Sequence, residues 1–319
     1  MRVVTLLPSA TEIVCAVGAE AQLVGRSHSC DYPATVRNLP ALTRTTVPEN
    51  AGSLAIDRHV RTHLGSHAAL YHLDLAGLEA ACPDVIVSQR LCDVCAVSSD
   101  ELESRLNELS SRPRLVDLKP RVLGDVFDDI LRVGEALNAN RAACRAVEGL
   151  RRRLLAVEQR TAAVPAAGRP RVALLEWLLP PFNSGHWNPE LIEAAGGIDC
   201  LGPKGRDSHT VDWQDVLKAQ PDVVVVASCG FSRRRCLEDI RALETEPGWS
   251  SLIRQVSGRV YVADGNAYFS RPGPRLIDSL EALAHALHPD IHPRPANGRE
   301  DGELSGRLFL QHVGSGCIS

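Results

Sequence analysis

The sequence predicts an α/β protein of two similar lobes, and three observations carry that reading. Residues 9–18 (S-A-T-E-I-V-C-A-V-G) and 187–196 (W-N-P-E-L-I-E-A-A-G) share one layout: a Glu (Glu12, Glu190), two apolar residues, an Ala and a closing Gly (Gly18, Gly196). Each follows a strand-like run, R-V-V-T-L-L at 2–7 and R-V-A-L-L at 171–175. Each is followed later by Pro-Asp and another apolar run, C-P-D-V-I-V-S at 82–88 and Q-P-D-V-V-V-V at 220–226. Short apolar strands alternating with helical patterns indicate parallel sheets. The expected architecture is two Rossmann-like lobes, each a parallel sheet flanked by helices. A long spine helix joins them and a ligand cleft lies between them. The boundaries read as 1–120 for the first lobe, 121–165 for the connecting helix, 166–289 for the second lobe and 290–319 for a flexible tail.

In chain order, strand 2–7 stops at Pro8. Ser9 with Glu12 three residues on reads as a capping box, and Gly18 as the helix end. A second strand covers 22–27, and 38–52 is rich in Pro and Thr and expected to be irregular. Helical periodicity covers 53–70, with short helix 74–81, buried strand 85–88, helix 98–110 and strand 114–117 completing the lobe. From 121 to 160 the pattern is helical, with a possible break at 138–140. Forty such residues would span roughly 60 Å. In the second lobe, helices are expected at 188–195, 212–219, 234–244 and 276–287, and strands at 171–175, 222–227 and 259–263. The first lobe holds about 40 extra residues between its Glu and its Pro-Asp, and they fall in the 28–72 region.

Composition narrows the function classes. The 319 residues are 44% hydrophobic and 23% charged, with a formal net charge of −4 and no long basic block, which argues against a nucleic-acid partner. No apolar run approaches the ~18 residues of a membrane span. Met1-Arg2 leads directly into the first strand without a secretion signal, so the expectation is a cytoplasmic protein. There its ten cysteines would be thiols or metal ligands rather than disulfides.

Parallel sheets bind ligands at the carboxyl ends of their strands, which selects the loops beginning at 8, 28, 89, 176, 228 and 264. Seven of the chain's 13 aromatics fall in these loops: Tyr32, Trp177, Phe182, Trp187, Phe231, Tyr268 and Phe269. Irregular loops cannot bury them all, so a flat apolar ligand is expected against some and packing around others. The same loops offer His28, Cys30, Gln89, Cys92, Cys95, Glu176, His186, Cys229, Asn266 and Arg271. Cys92-x-x-Cys95 could be half of a zinc or other transition-metal site, completed by His28, His186 or Cys229. It could also be a redox pair, or simply line the cleft. His59, His63 and His67 share a helix face at a spacing that can bind a divalent metal, though a solvated polar face is the plainer reading. Ser184 lacks the nucleophile-elbow pattern, and no phosphate-binding glycine loop is present. The loops therefore favour binding over catalysis.

The runs L-L-P-S-A-T-E-I (6–13), S-H-S-C-D-Y-P (27–33), L-C-D-V-C-A-V (91–97), P-P-F-N-S-G-H-W (180–187), C-G-F (229–231) and D-G-N-A-Y-F-S-R-P-G-P-R (264–275) resemble a subgroup of cobalamin-binding proteins. These are relatives of the substrate-binding proteins of cobalamin and iron-siderophore ABC transporters, and the resemblance extends over residues 2–288. It implies two lobes on a connecting helix with little hinge motion, and a corrinoid (cobalamin-like) or other large metal chelate as ligand. It further implies His28 or His186 as an axial ligand to cobalt. Glu12 and Glu190 would be the acidic residues that dock on an ABC permease. The function expected is non-enzymatic: a carrier, scavenger or sensor. The alternatives are a metal-site protein or metallochaperone using Cys92, Cys95 and a histidine, and a thiol-dependent enzyme on the same scaffold. The oligomeric state is left open.

Overall fold

The structure is a computed structural model that describes residues 1–66, 69–89, 102, 105, 106, 108–295 and, as backbone, 311–312. The chain divides into two compact units: Met1–Ala51 with Ala55–Gly149, and Gly52–Leu54 with Leu150–Ser319.

The first unit is built on four parallel strands: β1 (Val3–Thr5), β2 (Leu23–Arg26), β5 (Val85–Gln89) and β6 (Arg114–Leu118), in the order β2-β1-β5-β6. Every residue of β1 and β5 is buried, as expected of central strands covered on both faces. The flanking helices are α1 (Pro8–Ala16), α3 (Leu75–Ala81) and α4 (Leu123–Ala136). The extra 28–72 region folds into an antiparallel pair, β3 (Thr43–Thr45) with β4 (Tyr71–Leu73), and helix α2 (Ser53–Gly65). Residues 43–45, expected to be irregular, thus form a strand.

The start of α1 differs from expectation. Its N-cap is Leu7, whose side chain cannot cap, and Pro8 occupies the first turn. Proline's fixed φ and missing N–H suit that position, so the helix begins two residues early and the Ser9 capping box does not form. The Ser9 hydroxyl donates instead to Gln89 Oε1 at 3.4 Å. The helix ends as expected, with Gly18 at φ +75°.

The second unit carries strands β7 (Arg171–Leu175), β10 (Ile198–Asp199), β11 (Val223–Val226), β12 (Val260–Val262) and β13 (Gln311–His312), in the order β10-β7-β11-β12-β13. The first four are parallel and β13 is antiparallel. A short hairpin, β8 (Trp177–Leu178) with β9 (Pro181–Phe182), follows β7. The helices are α6 (Asn188–Ala194), α7 (Trp213–Lys218), α8 (Arg233–Ala242), α9 (Pro247–Gln255) and α10 (Leu276–Leu287).

With β13 set aside, both sheets have the same order: second strand, first, third, fourth. The repeat extends to hydrogen bonds. The Asp84 carboxylate accepts the Arg2 N–H at 2.7 Å, while Arg2 Nε donates to the Ala81 carbonyl at 2.8 Å. The Asp222 carboxylate accepts the Arg171 N–H at 2.7 Å, while Arg171 Nε donates to the Ala219 carbonyl at 3.0 Å. In each unit the repeated Pro-Asp and the Arg that opens the first strand tie a helix end to two strand starts.

Helix covers the connecting region in two pieces, α4 and α5 (Asn140–Thr161), separated by residues 137–139, where Asn138 has φ +57°. Arg153 on α5 forks onto α10, donating from Nε to Glu281 Oε1 at 2.8 Å and from Nη2 to Glu281 Oε2 at 2.7 Å, with Asp278 as a further partner. Past α10 the chain still packs: His292 is 2% exposed and its Nε2 lies 3.2 Å from Thr161 Oγ1. Among the described residues no helix is long and apolar enough to cross a membrane.

Candidate functional site

Three loops leave the carboxyl edge of the second sheet, and their residues sort into supports and surface. Glu176, at the end of β7, is a support. Its Oε1 accepts the Gly185 N–H at 2.8 Å and Asn188 Nδ2 at 2.7 Å, closing the 176–187 loop onto the start of α6. Its carbonyl accepts the Cys229 N–H at 3.0 Å, linking the next loop. Trp187 is 3% exposed and its indole N–H donates to the Phe269 carbonyl at 2.7 Å. Phe269 is 1% exposed, in a left-handed backbone conformation (φ +64°), and its N–H donates to Ser279 Oγ at 3.2 Å. Phe231 is also buried, between the Trp177 ring (centroids 4.9 Å apart) and the Arg235 guanidinium 3.8 Å from its centroid. Arg271 is buried and donates to Asn266 Oδ1 at 3.0 Å. Trp187, Phe231, Phe269 and Arg271 thus hold loops together and present little surface.

What these loops do present is Trp177, Phe182, His186, Asn266 and Tyr268, all half-buried, and the exposed Cys229. Arg275 lies 5.2 Å over the Tyr268 ring, and burial pushes the Tyr268 phenol above its usual range. His186 has its ring 5.3 Å from Trp187 and its Nε2 3.1 Å from Asp207 Oδ1. The Ser184 hydroxyl donates to Asp199, whose Oδ1 accepts the N–H groups of Leu201 and Gly202. Ser184 is fully buried, so it pins the loop after β10 and is no nucleophile.

In the first unit, the loop after β2 carries His28, Cys30 and Tyr32. His28 is half-buried, its Nδ1 2.8 Å from Thr43 Oγ1 and its ring stacked 5.9 Å from Tyr71. Burial holds its pKa below the ordinary imidazole value, so it is neutral at pH 7. Thr43 and Tyr71 were not legible as partners because they come from the extra 28–72 region. Tyr32 is exposed at 37%. Cys30 is not on the loop surface. It is 1% exposed, with Thr11 Oγ1 at 2.9 Å and Ser27 Oγ at 3.1 Å from its sulfur. Gln89, at the end of β5, is 5% exposed and faces Ser9. Cys92 and Cys95 lie outside the described residues, as does most of the helix expected at 98–110.

Among the described residues, no group of three or more His, Cys, Asp or Glu could hold a metal ion. Burial pushes Cys15 and Cys200 up to about 12 and Cys236 up to about 11. A depression of about 580 Å³ beside Cys15, Glu20 and Val36 lies towards the amino edge of the sheet, away from these loops. Of the two docking candidates, Glu12 is only 4% exposed. Glu190 is half-buried at the surface and pairs with Lys204 at 2.9 Å.

A family model described as "Periplasmic binding protein" matches residues 3–267. The chain belongs to that family. A similar curated protein is the uncharacterized ABC transporter substrate-binding lipoprotein YvrC of Bacillus subtilis (strain 168), 22% identical over 291 residues, covering 91% of this chain and 80% of YvrC. Similar solved structures include the periplasmic heme-binding protein RhuT of Roseiflexus sp. RS-1 in apo form. It has a TM-score of 0.66 and 20% identity, with 90% of this chain and 98% of RhuT covered. The periplasmic vitamin B12 binding protein BtuF of Vibrio cholerae gives a TM-score of 0.62 and 21% identity, with 90% and 96% covered. Family membership makes the chain a solute-binding protein of a non-enzymatic class with the two-lobe periplasmic-binding-protein fold. It also overturns the expectation of a cytoplasmic protein: the family is periplasmic, and YvrC is a lipoprotein.

Proposed function

We propose that this periplasmic binding protein captures a planar metal chelate, of corrinoid or tetrapyrrole class, and delivers it to an ABC permease. The observation that carries this is the character of the carboxyl-edge loops, where half-buried aromatics (Trp177, Phe182, Tyr268) stand on a rigid, buried support. Flat aromatic faces suit a wide ring system. The heme and vitamin B12 ligands named for RhuT and BtuF are of this kind. His28 is the better axial ligand of the two histidines considered. Its imidazole is neutral and Thr43 holds Nδ1, which leaves Nε2 to meet a metal, an arrangement typical of ligating histidines. The Nε2 of His186 is engaged by Asp207. Glu190 is the permease-docking candidate on the second unit. The buried thiols and Ser184 give no support to an enzymatic alternative.

The test is a visible-absorption titration with aquocobalamin and, separately, haemin. Wild type should bind one of them with a shift of its visible macrocycle absorption bands. His28→Ala should abolish that change and weaken binding at least tenfold, while His186→Ala should leave the spectrum as in wild type. If neither chelate binds, the proposal fails. If the His28→Ala spectrum matches wild type, the axial role fails.

A further inference from the structure

We propose that Arg26, the last residue of β2, is a positioning residue for His28: its guanidinium gathers the backbone carbonyls at the two ends of the 27–37 loop and so fixes where the imidazole is presented to the cargo. The inference rests on the axial role given to His28 above and adds the group that acts through it.

The fork is explicit in the hydrogen bonds. Arg26 Nη1 donates to the Ser27 carbonyl at 2.9 Å and to the His28 carbonyl at 3.3 Å, while Nη2 donates to the Arg37 carbonyl at 3.2 Å. Ser27 and His28 open the loop, and Arg37 lies in the short 3-10 turn Ala34–Asn38 that closes it. A guanidinium holds its donors in one rigid plane, so carbonyls ten residues apart are set in a fixed relation. Arg26 is itself anchored in the sheet. Its N–H donates to the Pro40 carbonyl at 3.0 Å, and its carbonyl accepts the Leu42 N–H at 2.7 Å. The strand thereby dictates the position of the loop.

For His28 the effect is specific. Its N–H donates to Thr43 Oγ1 at 3.0 Å, and its carbonyl is taken by Arg26. Both peptide groups flanking its Cα are held, which sets the direction in which Cβ and the ring leave the backbone. Thr43 and Tyr71 then fix the ring itself. The turn between the ends is braced as well: the Ser27 carbonyl accepts the Cys30 N–H at 3.2 Å, and Arg37 Nε donates to the Asp31 carbonyl at 3.1 Å. A metal–imidazole bond of about 2.0–2.1 Å tolerates little displacement, so a ligand of this kind depends on the groups that hold it.

The experiment is visible-absorption titration of the full chain with haemin and, separately, aquocobalamin. The proteins are wild type, Arg26→Met and Arg26→Lys, each with His28 intact and with His28→Ala. With His28 intact, Arg26→Met should weaken binding severalfold and diminish the shift of the macrocycle bands. Arg26→Lys keeps a cationic donor and should recover part of both; it carries the comparison alone if Arg26→Met does not fold. On the His28→Ala background the Arg26 substitutions should change affinity by less than about twofold, because a residue that acts through His28 has nothing left to position. Wild-type affinity and bands in both Arg26 variants would overturn the proposal. So would an equal loss with and without His28, which would make Arg26 a general brace of the loop. If wild type binds neither chelate, or His28→Ala keeps the wild-type bands, the axial reading fails and the role of Arg26 fails with it.

Discussion

Asp129 has a carboxyl that is almost wholly buried on α4, with Oδ1 2.6 Å from Arg132 and Oδ2 without a hydrogen-bond partner. Burial pushes its pKa up to about 7, against the pull of Arg132. The unfolded chain releases this proton near pH 4. Between those values the folded state binds more protons, so stability is lost as pH rises through that window. Asp129→Asn removes the buried charge. At pH 8 it should be more stable than wild type by about 1–3 kcal/mol, with the gain shrinking towards pH 4. Urea unfolding at both pH values measures this, and a variant less stable at pH 8 would count against it. At the same scale, the carboxyl-edge loops were legible as the places where aromatics and polar side chains gather. Which aromatics face outward was not. Trp187 and Phe269 look like Trp177 and Tyr268 in sequence. They are buried because an indole N–H meets the Phe269 carbonyl and Ser279 reaches back from α10, contacts set by tertiary packing alone.

At the scale of elements, apolar runs and Pro-Asp located β7, β11 and β12 and the helices α6, α7, α8 and α10 of the second unit, while the short strands β8, β9, β10 and β13, two residues each, were not foreseen. Sequence alone also missed α9, whose pattern P-G-W-S-S-L-I-R-Q begins with two residues that usually break helices; Pro247 in fact occupies its first turn. It misjudged the start of α1 for the same reason, at Pro8. The Arg–Asp ties behave as matched elements of the two units. Asp84→Ala and Asp222→Ala should each cost about 0.5–1.5 kcal/mol, the range for one hydrogen bond, and the two losses should be similar. Thermal unfolding of the single variants checks this; a loss in one unit only would mean that the ties share geometry without sharing weight.

For the whole molecule, acid is the expected weak side at its histidines. Burial holds His28 and His292 below the ordinary imidazole pKa. His292 is further depressed by His288, Arg160 and His285. In the unfolded chain each takes a proton near pH 6.5, but in the folded state only at lower pH. Between those values the unfolded state binds more protons, so this stability is present above pH 6.5 and is lost as pH falls. His292→Gln keeps a polar group beside Thr161 without the titration. Its melting temperature should fall less than that of wild type between pH 7 and 5. Parallel curves would remove His292 as the titrating group. Comparing the two proteins also cancels the opposite trend from Asp129, which lies on another element.

The matched ties have a further consequence. They sit where the strands begin, and the ligand loops leave where the strands end. Changes in recognition can therefore accumulate at one rim while the brace at the other is left untouched. A chimera carrying the 176–187 and 264–275 loops of a relative should keep this chain's melting behaviour and exchange only its choice of cargo.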